Sequence, residues 1–232
     1  MTAFALIHGA WHGGWAFERL VPELRARGHD AVAPDLPCED QGAGASRYAD
    51  AVEEALEGVD GDVVVVGHSL GGLTASLVAE RRPVRRLVLL CALVPVPGRP
   101  LSDRFSDPDL FLPGPGERTA RGEDGLSHWL SAQDAIDAMY ADCDPALAAS
   151  AAARLRGQAA LPSRENSPLT RWPEVPASYI LCTEDLMVGP AWSRRVATEE
   201  LGITPIELPG SHSPMLSRPA VLADVLAELA HT

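Results

Sequence analysis

Ser69 stands in Gly67-His68-Ser69-Leu70-Gly71-Gly72, directly after the run Val63-Val64-Val65-Val66. Gly-x-Ser-x-Gly between an apolar strand and a helix is the layout of a nucleophilic serine on a sharp turn. The turn is too tight for large side chains beside the serine, hence Gly67 and Gly71. The serine Oγ is then presented above the strand end. The N–H that follows lies at a helix N-terminus, where the dipole favours an oxyanion. The chemistry this implies is acyl transfer through a covalent serine intermediate. A bare Gly-x-Ser-x-Gly recurs by chance; the buried strand before it, the helix after it and the extra Gly72 carry the reading.

Such a serine needs a base, and the base needs a carboxylate to orient it. On sheets that carry this turn the chain order is serine, carboxylate, histidine. Of the seven histidines, His128, His212 and His231 follow Ser69. His231 is penultimate, where chains fray, and His128 lies in an irregular middle region. His212, within Leu208-Pro209-Gly210-Ser211-His212-Ser213-Pro214, falls between the last strand and the last helix. That is the carboxyl end of a parallel strand, where sites gather, so His212 is the expected general base. For the acid, Glu184 and Asp185 both follow the strand over 178–183, and Asp35 follows an earlier one.

The segment His8-Gly9-Ala10-Trp11-His12-Gly13-Gly14-Trp15 follows the first strand. Three glycines and two histidines there suit a loop pressed against the active centre. It would supply one oxyanion donor, the N–H of Ala10, with the N–H of Leu70 as the other. Zinc ligation by His8 and His12 at i, i+4 is the competing reading, but a Gly-rich loop does not present the helical face that spacing uses. The two rings are expected to hydrogen-bond within the loop. Trp11 and Trp129 are candidate walls of an apolar substrate pocket. Packing within the middle region is the competing reading for Trp129.

The elements that must position these residues alternate. Strands are expected over 4–8, 31–33, 62–66, 86–92, 178–183 and 204–208, and helices over 15–27, 48–56, 70–81, 191–201 and 219–230. Strands alternating with helices argue an α/β fold with a mostly parallel sheet covered on both faces. The rhythm breaks between about 94 and 176, where Pro-rich stretches flank a helical segment over 126–155 interrupted at Asp144-Pro145. The expected organisation is a core of residues 1–96 and 177–232 with an inserted helical cap, 97–176.

Composition sets the outer limits. A single domain fits 232 residues. Charge of -13 repels a phosphate backbone, so no nucleic-acid partner is expected, and it argues mildly against anionic substrates arriving by electrostatic steering. Arg81, Arg82, Arg85 and Arg86 read as a solvated edge. Cys38, Cys91, Cys143 and Cys182 show neither a CxxC pair nor zinc-ligand spacing, and serine acyl transfer needs no metal or cofactor. No signal-like or membrane-spanning run stands out, so a cytoplasmic protein without membrane partners is expected. A homodimer through the cap is compatible with the sequence, which contains nothing that demands one.

Taken together these motifs resemble one branch of the α/β-hydrolase superfamily: plant hydroxynitrile lyases, plant methyl esterases and small bacterial, pyrethroid-hydrolase-like esterases. The resemblance rests on the loop at 8–15, the turn at 67–72, Tyr179-Ile180-Leu181-Cys182-Thr183-Glu184-Asp185 and Gly210-Ser211-His212-Ser213-Pro214-Met215-Leu216, and more loosely on Tyr140-Ala141-Asp142-Cys143-Asp144. It implies an α/β-hydrolase fold and a triad of Ser69, Asp185 and His212. The lyases of this branch carry threonine after the first loop histidine and lysine after the catalytic one. This chain has Gly9 and Ser213. A neutral serine cannot stabilise departing cyanide, so the resemblance implies an esterase acting on a small-molecule ester. A lyase, cyclase or C–C bond hydrolase on the same fold, and a small-ligand receptor without turnover, are the alternatives.

Overall fold

The computed structural model describes residues 2–59, 61–112 and 115–231. Its centre is β3 (Val63–His68), whose four valines are buried on both faces. β-Branched side chains suit a strand covered on both sides, and each buried valine contributes about 1.5–3 kcal/mol of hydrophobic stabilisation. β1 (Ala3–Ile7) lies beside it on one side, followed outward by β2 (Asp30–Val32). β4 (Arg86–Leu90) lies on the other side. Two further strands from the end of the chain complete a six-stranded sheet in which every pairing is parallel.

The period of two sorts each strand between two cores. Ala5, Ile7, Val63, Val65, Leu87 and Leu89 face one core. It is closed by α2 (Ala45–Ala55) and α3 (Gly71–Arg81). Phe4, Leu6, Val64, Val66, Val88 and Leu90 face the other. That face is covered by α1 (Leu20–Ala26) and the C-terminal helix. β1 is followed by β2 on one side and β3 on the other, so the connection reverses direction there. Ligand sites of open parallel sheets form above such a reversal, at the carboxyl ends of the strands.

After β4 come a 3-10 turn at Leu101–Ser106, α4 (Pro115–Arg118), β5 (Thr119–Arg121) and β6 (Ser127–Trp129). Then follow α5 (Ala132–Met139), α6 (Pro145–Ala152) and α7 (Leu161–Arg164). This corrects the expected helical run over 126–155, because its first residues form a hairpin. Thr119 pairs with Trp129 and Arg121 with Ser127, across a turn that includes Gly125 at φ 77°. The helix starts only where Ser131 accepts a bond from the Asp134 N–H, and the next where Asp144 caps Ala146 ahead of Pro145.

The sheet resumes with β7 (Ala177–Cys182), α8 (Pro190–Arg195), β8 (Ile206–Leu208), α9 (Pro214–Ser217) and α10 (Pro219–His231). The helix expected over 191–201 changes at Val196 into a π turn. Of the basic cluster, Arg81 pairs with Asp50 and Arg85 with Asp62 at the surface. Arg86 departs from a purely solvated role: it donates to the Leu229 carbonyl and to Ser178 Oγ.

Candidate active site

Ser69 follows β3 at φ 53°, a left-handed conformation that costs a non-glycine residue on the order of 1 kcal/mol or more. Its surroundings enforce it. The Ser69 N–H donates to the Leu90 carbonyl, while its own carbonyl accepts from the N–H groups of Gly72 and Leu93. A Cβ on Gly67 would lie 2.6 Å from that of Ala75, and one on Gly71 would lie 2.6 Å from the Ile7 carbonyl oxygen. Glycine at both places lets the strand, the turn and β1 meet. The N–H groups of Ala10 and Leu70 have no protein acceptor among the described residues. Leu70 N–H heads α3. Both residues line the same cavity as Ser69.

His212 and Asp185 arrive from the ends of β8 and β7. Nδ1 of His212 donates to Asp185 Oδ2 at 2.8 Å, and both side chains are buried. The other carboxylate oxygen accepts from the N–H groups of Met187 and Val188 at 2.7 and 2.9 Å. One oxygen thus fixes the turn and the other fixes the imidazole, which leaves Nε2 as the nitrogen open to a proton. The two fallback acids sit elsewhere. Glu184 is exposed, and Asp35 accepts from the Gly14 N–H at the surface. Beneath the ring, His68 lies 4.6 Å from His212, centroid to centroid, and its Nε2 donates to the His212 carbonyl.

His8 and His12 hold the loop, as expected of them. His8 Nε2 accepts from the Leu36 N–H, so Nδ1 carries the proton and donates to Gly9. His12 Nδ1 donates to the Ala10 carbonyl and Nε2 accepts from the Tyr140 hydroxyl at 2.7 Å. Each ring nitrogen is engaged, so neither ring has a lone pair left for zinc. Tyr140→Phe would leave Nε2 of His12 buried without a donor. A loss of about 1–3 kcal/mol is expected, read as a lower urea midpoint; an unchanged midpoint would show that the bond contributes nothing.

Burial lowers the pKa of His8 to about 4 and of His12 to about 3. In the unfolded chain both take up protons near 6.5, so between pH 6.5 and 4 the unfolded state binds more protons. Stability is therefore full above this window and falls as pH drops through it. From pH 7 to pH 5 the pair should cost roughly 4 kcal/mol. Urea unfolding at the two pH values measures this, and equal midpoints would contradict it.

A cavity of about 650 Å³ opens above Ser69, of a size to take a drug-sized molecule. Trp11, Leu93, Phe105, Phe111, Met187 and Val188 give it mostly apolar walls. Trp11 is fixed at φ 62° by bonds from its Nε1 to the Ser127 carbonyl and from the Arg156 N–H to its own carbonyl. Trp129 does not line the cavity. It packs edge-on against Trp11 at 5.2 Å and supports that wall from behind. Phe105, Phe111, Met187 and Val188 escaped the sequence reading, because they sit on irregular segments whose apolar residues show no period.

A family model described as the alpha/beta hydrolase family matches residues 4–225. Pyrethroid hydrolase of Sphingobium wenxiniae is 30% identical over 99% of this chain and 88% of its own. Salicylic acid-binding protein 2 of Nicotiana tabacum is 29% identical, over 98% and 96%. The solved structure of a pyrethroid hydrolase from Sphingobium faniae superposes with a TM-score of 0.81 at 26% identity, covering 100% of this chain and 98% of that one. A parallel sheet, a serine at a strained strand-to-helix turn and a family match across nearly the whole length agree: the chain belongs to the alpha/beta hydrolase family.

Proposed function

We propose that this protein is a carboxylic-ester hydrolase with Ser69 as nucleophile, His212 as general base and Asp185 as the group that orients it. The observation that carries the reading is the buried Asp185–His212 bond, which leaves Nε2 open at the sheet end where Ser69 is held in strain. In this mechanism Ser69 Oγ attacks the ester carbonyl as Nε2 takes its proton. The N–H groups of Ala10 and Leu70 receive the developing oxyanion. The imidazolium returns the proton to the leaving alcohol, and Asp185 stabilises its charge. His212 then activates water, which releases the acid and frees the serine.

The apolar walls support a small, largely apolar substrate. Residues 97–176 act in this reading as a cap that closes the site. Tyr140 and Ser127 of that segment bond His12 and Trp11 of the loop after β1. No helix among the described residues is long and apolar enough to cross a membrane. All four cysteines are free, which supports a reducing compartment, and the cytoplasm is the location proposed. Relatives named for pyrethroid hydrolysis and methylesterase activity support the ester as substrate class.

The test is steady turnover of a short-chain p-nitrophenyl ester, with labelling of the protein by a fluorophosphonate. One label per chain, mapped by mass spectrometry to the peptide bearing Ser69 and matched by loss of turnover, is expected. Turnover that persists in fully labelled protein would overturn the proposal.

A further inference from the structure

All 19 basic residues of this chain are arginines, set against 32 acidic ones. Most of these arginines hold a carboxylate, such as Arg154 on Glu18, Arg194 on Glu207 and Arg104 on Glu200. Two that line the cavity above Ser69 do not. Arg121, on β5, donates from Nε to the Gly125 carbonyl and has no carboxylate partner among the described residues. Arg164, at the end of α7, has no side-chain partner there at all.

Three of the carboxylates close to them in sequence or in the cavity are already committed. Asp107, which also lines the cavity, is bound by Arg195 at 2.5 Å. Glu165, next to Arg164, reaches the other way and accepts from the Ala45 N–H at the start of α2. Asp124, in the turn after Arg121, bonds His128 and the Leu126 N–H. The chain has a 13-unit excess of negative charge, yet neither of these two cavity-lining guanidinium groups has a carboxylate partner among the described residues. Guanidinium is also the side chain best matched to a planar oxyanion, which it can bind through two parallel N–H donors.

We propose that the site takes esters whose apolar body ends in a carboxylate, with Arg121 and Arg164 as its counter-charges. The inference rests on the ester-hydrolase reading and refines its substrate class. The surface as a whole still repels anions, so the selectivity arises locally, where the two exposed arginines line the cavity. Water cleaves the ester of such a half-ester, giving a dicarboxylate and the free alcohol. The distal carboxylate takes no part in bond making.

Mono-p-nitrophenyl esters of adipic, suberic and sebacic acid test the proposal, each against its counterpart ending in a neutral primary amide. At the best chain length kcat/KM for the carboxylate should exceed that for the amide by about tenfold. The ratio should shrink as salt rises. In Arg121→Gln/Arg164→Gln it should fall to about one. Because the ratio is internal to each variant, a loss of folded protein divides out. Amide esters turned over with no carboxylate preference at any length, or a preference that survives the double substitution, would overturn the inference and leave the esterase reading standing. No turnover of either series by folded protein would overturn both.

Discussion

Ser69→Ala is expected to lower kcat toward a p-nitrophenyl ester by about 10⁴-fold or more, with the fold retained. Without Oγ there is no covalent intermediate, and what survives is binding in the cavity and polarisation of the carbonyl. The backbone contacts that hold the turn come from the N–H and carbonyl of residue 69, from Leu90, Gly72 and Leu93. They do not involve the side chain, so alanine keeps them. The measurement is kcat for wild type and variant, with urea unfolding alongside. An unchanged urea midpoint and a collapsed rate are the expected pair. A variant retaining a tenth of the activity would remove Ser69 from the nucleophile's role.

Asp185→Asn should cost about 10³- to 10⁴-fold in kcat, and the reason is a tautomer. The carboxylate divides its work: Oδ1 accepts from Met187 and Val188 N–H, and Oδ2 accepts from His212 Nδ1–H. Asparagine can keep the first pair with its carbonyl oxygen, so the turn after β7 survives. Its NH₂ then faces Nδ1, which must become the acceptor. The proton moves to Nε2, the nitrogen that has to receive one from Ser69. Asp185→Ala would remove the turn bonds as well and should destabilise the protein further, so the asparagine variant isolates the catalytic effect. Comparable kcat for wild type and Asp185→Asn at equal stability would exclude Asp185 as the orienting acid.

Much of this candidate site is legible in the sequence. Gly67 and Gly71 around Ser69 announce a turn whose geometry is nearly independent of the rest of the chain, because backbone crowding alone dictates it. The β-branched run before it identifies the central strand for the same local reason. His212 follows from chain order and its place after the last strand. The acid was less determined. Glu184 and Asp185 are neighbours, and in the sequence only the family resemblance separates them. The structure brings Asp185 to His212 by the direction of a single turn and points Glu184 at solvent.

The middle region was the least legible. Leu126 to Trp129 entered the expected helix because neighbouring alanines favour one, yet Ser127, His128 and Trp129 pair with Arg121, Ala120 and Thr119 instead. Cross-strand pairing is a contact between distant positions, and no local preference announces it. That hairpin places Trp129 behind Trp11, and Arg121 at the cavity wall.

By itself, then, the sequence determined the strand-to-helix turn, the serine placed on it and the alternation that builds a parallel sheet, because backbone sterics and hydrophobic period are local properties. Which carboxylate meets His212, which tryptophan lines the cavity and which arginines lack a partner were decided only by the tertiary structure. Those are matters of distance between segments far apart in the chain, and distance exists only once the chain has packed.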